Sequence, residues 1–310
     1  MPTATRELAV EDGARPPGPR APTVTPDRLW HGIGILLASA VCFGVMAVCV
    51  RVAARELDTL HIAFVRFLGS LLLLVGLVRG RQLRPKPGNL SRVLVRGLLG
   101  CAAIVCYFIA IHDVGAGLAT ILQCTYPIPT AMIATLVFGE KASPWLPFAI
   151  AVDLIGIVLV VGPSVTLATV SPTGIAFGLA GAVLAGGAVA TAQHLRASED
   201  ASLITIYFMA VGALVTAPAL LNVSAMAGLS SAGVGALVGV VVTSAAGQWL
   251  LHHGLGYTPA SVGSLVSATS VMTAAGLEAV VLGEHLPGSS LAGALLMSAA
   301  VGLAARRSRG

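Results

Sequence analysis

The chain has 310 residues, of which 10% are charged and 56% apolar, with a formal net charge of +5 and a mean hydropathy of +0.91. Soluble domains carry about 25% charged residues, so this composition excludes a soluble enzyme, a nucleic-acid binder and a disordered chain. Long continuous apolar runs, rather than short alternating strands, exclude a transmembrane β-barrel and leave an all-α polytopic membrane protein.

Residues 1–28 are polar and rich in Pro and Ala, with no apolar stretch of the kind a cleavable signal peptide needs. They are expected to form a disordered cytoplasmic tail, with the first apolar helix acting as an uncleaved anchor. A helix needs about 20 apolar residues to cross the hydrocarbon. Ten segments meet this, near 31–50, 60–78, 93–112, 117–138, 145–162, 173–193, 203–221, 234–251, 259–282 and 289–305. Turn signals or charges separate them, and Ser143-Pro144 and Ser171-Pro172 each resemble an N-cap followed by Pro at the first helical position. The five cysteines, Cys42, Cys49, Cys101, Cys106 and Cys124, lie inside apolar runs without metal or disulfide spacing. They are read as small buried hydrophobes, and neither metal nor cofactor is expected.

With the N-terminus inside, 15 basic residues fall on the cytoplasmic side, Arg96 and Arg196 among them, and only Arg51 and Arg55 on the outer side. Such an excess predicts a multi-pass protein of the cell (inner or cytoplasmic) membrane with both termini cytoplasmic. The basic residues thus set orientation; they do not bind nucleic acid.

Residues 32–58 shifted by 142 fall on 174–200 with eight identities in 27 pairs, including Gly44/Gly186 and Asp58/Asp200. A shift of 144 places Gly139-Glu140 on Gly283-Glu284 and Thr125 on Thr269. Each half then holds five spans, an odd number, so the second copy enters the membrane upside down. Two inverted five-helix repeats, 29–163 and 164–310, are the architecture of secondary transporters.

Two copies of one segment, "GAGLATILQCTYPIPTAMIATLVFGEK" and "TPASVGSLVSATSVMTAAGLEAVVLGEH", carry small residues after a loop, a polar middle and a terminal Gly-Glu. With the ten spans, they make the chain resemble the drug/metabolite transporter superfamily, specifically its EamA-type members. The resemblance implies a carrier of small organic molecules, often an exporter, that works by alternating access, with peripheral fifth and tenth helices. Val271 stands where the first copy has Pro127, so a mid-membrane break is expected in the fourth segment and not in the ninth.

Polar side chains inside a bilayer are costly and mark cavities or bundle interiors. In the fourth segment Gln123, Thr125, Tyr126 and Pro127 fall near mid-depth. Pro127 and Pro129 donate no backbone hydrogen bond, so the carbonyls of Gln123 and Thr125 are expected to be free for a substrate; a kink satisfied by its neighbours is the plainer reading. Ser264, Ser267, Ser270 and Thr273 recur every three residues and predict a wet polar stripe, against tight packing through hydroxyls bonded to their own helix. Gln248, Trp249 and Tyr107 are expected to line the cavity, while the histidines, His252 and His253 among them, are read as interfacial.

Arg66 and Glu278 fall at similar depth in the outer half. They are expected to pair, or Arg66 to hold a substrate carboxylate while Glu278 gates or couples to protons; snorkelling to the interface is the alternative. Asp153, mid-span, is expected to be a protonated or hydrogen-bonded structural acid at a homodimer contact, with proton coupling as the other reading. Glu140 and Glu284 recur at helix C-termini, where the dipole opposes them, and are read as caps for the next helix or as gates. Partners are therefore a small-molecule substrate and membrane lipid. The substrate is expected to be an amino acid or an amphipathic amine or drug-like compound. An intramembrane enzyme or a non-transporting subunit is the alternative, but no nucleophile–base pair at matching depth supports an enzyme.

Overall fold

The computed structural model describes residues 26–78, 83–141, 143–162, 171–226, 228–283 and 288–307. Most of the tail assigned to 1–28, the boundary between the halves at 163/164, and Glu284 lie outside the described residues.

The described residues are helical throughout their ordered elements: α1 (Pro26–Ala53), α2 (Thr59–Leu77), α3 (Leu90–Gln123), α4 (Pro127–Leu136), α5 (Leu146–Val161), α6 (Pro172–Leu195), α7 (Ala201–Val215), α8 (Ser231–Gly254), α9 (Ala260–Ala268), α10 (Ser270–Leu282) and α11 (Gly288–Arg307). A 3₁₀ segment, Ala217–Met226, follows α7. Among the described residues seven helices are long and apolar enough to cross a membrane, counting Ala260–Val281 as one, and α4, α5 and α7 are shorter apolar helices.

Local chemistry sets several starts. Asp58, Ser171, Asp200 and Ser230 each accept a backbone N–H of the first turn they precede, opening α2, α6, α7 and α8. Ser143 behaves otherwise: α5 begins at Leu146, and the Ser143 hydroxyl accepts only the Trp145 amide, at 3.4 Å. Gly115, at φ 79° and ψ 159°, breaks the run from Leu90 to Gln123 where the sequence predicts a connection between two segments. Gly139 and Gly283 close α4 and α10 in the same left-handed conformation, both at φ 69°. Only glycine adopts this without a Cβ penalty, and the Glu140 amide then reaches back to the Ala134 carbonyl at 2.9 Å, satisfying an end carbonyl.

The helices pack as a bundle in which α3 lies along α6, α1 along α8 and α5 along α11. One end gathers the end of α1, the start of α8, and the 3₁₀ segment beside α2, through Glu56 to Ser230 and His61 to the Asn222 carbonyl. The opposite end gathers the start of α3, the α6–α7 loop, the end of α4 and the start of α9, through Glu199 to Asn89 and Glu140 to Ala260. Leu36, Ile157, Leu195, Met209 and Met297 fill the interior, while Leu136, Leu214 and Val280 stay exposed on the outside. A soluble protein would bury such side chains; a membrane protein presents them to lipid.

Two glycines permit close helix approaches. A Cβ at Gly44 of α1 would stand 2.7 Å from Thr273 Cγ2 and 3.0 Å from the Ala274 amide of α10. A Cβ at Gly186 of α6 would stand 2.7 Å from the Thr130 amide and 3.0 Å from the Tyr126 carbonyl of α4. Backbone lies in the way in both cases, so no side-chain rotation relieves the clash.

Candidate functional site

A buried polar group lies where α2 and α3 meet α7 and α8. Ser244, Gln248 and His252 stand four residues apart on α8, so they share one face and span about 12 Å along the axis. All three are buried. Arg66 Nε donates to Ser244 Oγ at 2.9 Å, and Arg96 Nη2 meets His252 Nε2 at 2.8 Å. Guanidinium only donates, so His252 Nε2 is the acceptor and its Nδ1 carries the proton. That proton goes to Thr205 Oγ1 at 2.7 Å, and the hydroxyl in turn donates to the Ala201 carbonyl at 2.7 Å. The relay fixes His252 as a neutral ring, since a protonated one would point N–H against N–H at Arg96.

Aromatic faces complete the surroundings. Arg66 lies over the Phe67 ring at 5.2 Å and Arg96 over Phe208 at 4.4 Å, and those rings meet edge to face at 5.5 Å. Among the described residues no carboxylate pairs with either arginine. Arg96 is 4% exposed, and its Nε and Nη1 have no hydrogen-bond partner. Gln248, 5% exposed and midway between the two anchors, makes no hydrogen bond within the described residues. A charge taken out of water costs several kcal/mol unless compensated, so the donors left here are suited to an anionic or strongly accepting guest.

Trp249, half-buried beside this face, donates Nε1 to Ser202 Oγ at 3.1 Å and stacks on His253 at 5.0 Å. His253 then meets Tyr257 at 5.4 Å, and Tyr257 meets His31 at 5.3 Å, a line of rings leading to the start of α1. Tyr107 Oη shares a hydrogen bond with Thr120 Oγ1 at 2.8 Å.

Several expectations are corrected. Arg66 and Glu278 do not pair: Glu278 meets Arg51 at 3.0 Å near the end of α1, because α10 packs on α1 while Arg66 turns toward α8. The carbonyls of Gln123 and Thr125 are not free, since Tyr126 and Ile128 donate to them at 3.1 and 3.0 Å as the chain tightens into 3₁₀ turns ahead of the prolines. Thr125 Oγ1 also turns back, to the Leu122 carbonyl at 2.7 Å, and the prolines themselves open α4. The serine stripe is not wet at Ser264 and Ser267, whereas Ser270 and Thr273 are half-buried. Every residue of α9 is buried, and Ser264 and Ser267 donate to the carbonyls of Ser261 and Gly263, each at 2.8 Å. Ser270 opens α10 after a break at Thr269, so the ninth segment is interrupted as the fourth is, without a proline.

Tyr126 Oη donates to the Ser264 carbonyl at 2.8 Å, tying the turn before α4 to α9, and Gln123 Oε1 is buried without a partner. Glu140 does cap a helix, though not the next one: its carboxylate takes the Ala260 amide at 2.9 Å and the Ser261 amide and hydroxyl, at the start of α9. Asp153 is fully buried with both oxygens unpartnered, one turn from Ile157, which packs with Met297 of α11. A side chain enclosed within one chain does not reach a dimer contact. Arg96 and His252, expected on the cytoplasmic side and at the membrane interface, are both buried in the bundle; six helical residues precede Arg96 in α3, and α8 runs on past His252 to Gly254. The sequence carried one signal for them, the four-residue spacing of Ser244, Gln248 and His252.

Away from this group, an apolar groove of about 660 Å³ lies between α4 and α5, lined by residues including Met132, Leu136, Pro147 and Leu154. Its lining suits acyl chains, not a polar solute.

An all-helical chain with an apolar exterior and a buried polar seam is a multi-pass membrane protein. The sequence model of the EamA-like transporter family matches residues 30–162 and again 172–306, so the chain belongs to that family. It is 27% identical over 284 residues to the pseudopaline exporter CntI of Pseudomonas aeruginosa, covering 92% of this chain and 99% of that protein. It is also 26% identical over 137 residues to human solute carrier family 35 member G1, covering 43% of this chain and 37% of that protein. A solved crystal structure superposes with a TM-score of 0.73 over 88% of this chain and 98% of the other, at 17% identity, which speaks to the fold alone. The chain is therefore a membrane transporter of small molecules and not an enzyme.

Proposed function

We propose that the chain is a secondary exporter of a small organic metabolite, working by alternating access across the inner membrane with both termini in the cytoplasm. The observation that carries the reading is the polar seam of half-buried Arg66 with buried Gln248, Arg96 and His252 at the meeting of α2, α3, α7 and α8. Partnerless donors at a helix seam are costly for a scaffold and useful for a carrier.

The reading takes ten spans in two inverted halves, 29–163 and 164–310. The double match to one family model supports the division. So does the recurrence of contacts. Gly44 and Gly186 are related by the shift of 142, and the amides they abut, Ala274 and Thr130, by the shift of 144. Each contact crosses between halves, as inverted repeats require. Gln248, Trp249, Tyr107 and Arg66 contact the substrate, with Gln123 and Tyr126 at the edge of the passage. Asp153, buried with bare oxygens, is the group for proton coupling, and Glu140 gates one end. Export, rather than uptake, is supported by the relative whose printed name is that of an exporter.

The test compares cells expressing the chain with cells expressing Gln248→Ala, by untargeted mass spectrometry of medium and cytosol. Export raises the medium-to-cytosol ratio of at least one metabolite, and the substitution lowers it. An unchanged ratio for every metabolite, or accumulation inside the cell, overturns the proposal. Cysteines at positions 55 and 196 should label from opposite faces of the membrane; labelling from one face removes the inverted arrangement.

A further inference from the structure

We infer that Arg66 and Arg96 act together as a site for a small organic dianion, one carboxylate at each guanidinium and Gln248 between them. The inference rests on the transport reading for its purpose, but not for its chemistry. Four observations carry it. Arg96 keeps two N–H-bearing nitrogens unpartnered although it is almost wholly buried. Arg66 spends only Nε on the protein, through Ser244, so its two terminal nitrogens are uncommitted. Neither has a carboxylate partner among the described residues. The two guanidinium groups flank one ring pair, through steps of 5.2, 5.5 and 4.4 Å, so they border the same part of the bundle rather than separate faces of it.

Planar guanidinium matches carboxylate with two parallel hydrogen bonds, and in a low-dielectric interior such a pair is strong once both partners are desolvated. His252 is a positioning residue. By accepting from Arg96 Nη2 it holds the guanidinium plane across the Phe208 face and leaves Nε and Nη1 directed elsewhere. Thr205 fixes the His252 tautomer that permits this. Gly100 leaves room for the arrangement, since a Cβ there would stand 2.6 Å from Arg96 Nη1. Gln248, on the same face of α8 and without a hydrogen bond of its own, offers an amide to whatever joins the two carboxylates. A diamine finds only like charge at both ends, and a monocarboxylate leaves one arginine bare.

The full chain, purified in a neutral detergent, is titrated with the linear dicarboxylates from succinate to sebacate. The comparison probes are hexanoate, the matched α,ω-diamines, and phosphatidylglycerol. Thermal unfolding and Trp249 fluorescence report binding. Dicarboxylates should raise the unfolding midpoint with an optimum of chain length, hexanoate should bind at least tenfold more weakly, and the diamines should do nothing. Arg66→Gln and Arg96→Gln should each weaken the preferred dicarboxylate at least tenfold, with Arg96→Lys intermediate because it keeps the charge and loses the fork. Stabilisation by diamines, by phosphatidylglycerol alone, or by dicarboxylates equally in both glutamine variants overturns the inference. Where a variant does not fold, phenylglyoxal labelling of the unaltered chain answers instead: the preferred dicarboxylate should protect Arg66 and Arg96 in peptide mass spectra, and absence of protection overturns the site. Dicarboxylate binding without metabolite efflux removes export and keeps the site; efflux of amines with no dicarboxylate binding removes the site and keeps transport.

Discussion

Removing the Glu140 side chain should loosen the start of α9 and little else. Pro259 precedes α9 and supplies no side-chain cap, so the first amides of the helix have no local acceptor. Glu140 supplies one from 120 residues away, taking the Ala260 amide at 2.9 Å and the Ser261 amide at 3.4 Å, with the Ser261 hydroxyl as a third donor. Hydrogen bonds to charged groups contribute about 1.5–3 kcal/mol, and Glu140 is half-exposed, which argues for the lower part of that range. A loss of about 2 kcal/mol corresponds to roughly a 30-fold rise in the opening equilibrium, which amide hydrogen exchange reads directly. Hydrogen-exchange mass spectrometry of Glu140→Ala should therefore show roughly 30-fold faster exchange in peptides covering 260–263. Glu140→Gln, which keeps one acceptor oxygen without the charge, should fall below about tenfold. Exchange that is unaltered at 260–263, or that accelerates equally in α2, α6 and α11, would refute the capping argument.

Gly44→Ala and Gly186→Ala each push a methyl against backbone amides, so each should cost about 1–3 kcal/mol in thermal unfolding, whereas Gly34→Ala, with open space around it, should be silent. The Arg51–Glu278 pair is partly exposed, with side chains 49% and 23% accessible, so Glu278→Gln should cost less than about 1 kcal/mol, an amount that shrinks further in high salt. Hydrogen bonds from the Ser230 hydroxyl and amide hold the Glu56 carboxyl below its ordinary 4.5. Its contribution is present above the unfolded value and is lost as the pH falls through the folded one. Acid titration of the unfolding midpoint should accordingly be shallower in Glu56→Gln than in the unaltered chain.

The apolar runs told where helices lie, because helix formation in a membrane depends on length and hydropathy, which a window average reads. The Ser171 cap was equally legible, since capping is settled within four residues of chain. The interior of the polar seam was not. Arg96 was counted only as a cytoplasmic-side cation because charge counting along the sequence carries no direction, and only α8, 156 residues on, shows that it faces inward. The serines of α9 misled for a related reason. A three-residue spacing is what a wet stripe needs, and also what hydroxyls bonded to their own helix need, so the period alone does not separate them. Glu140 was recognised as a cap yet assigned to the wrong helix, because its target is adjacent only in space.

The carboxylates that cross between halves bear on how the chain is made. Glu199 serves the Lys86 amide and the Asn89 side chain, synthesised 113 and 110 residues earlier, while Glu140 and Glu56 await acceptable donors 120 and 174 residues later. At the usual 5–20 residues per second of translation, the start of α3 stands bare for roughly 5 to 20 s before its partner leaves the ribosome. Neither half is complete by itself during that interval. The order of synthesis thus leaves the nascent first half dependent on the insertion machinery, and the final lock is set when α8 and α9 have entered the bilayer.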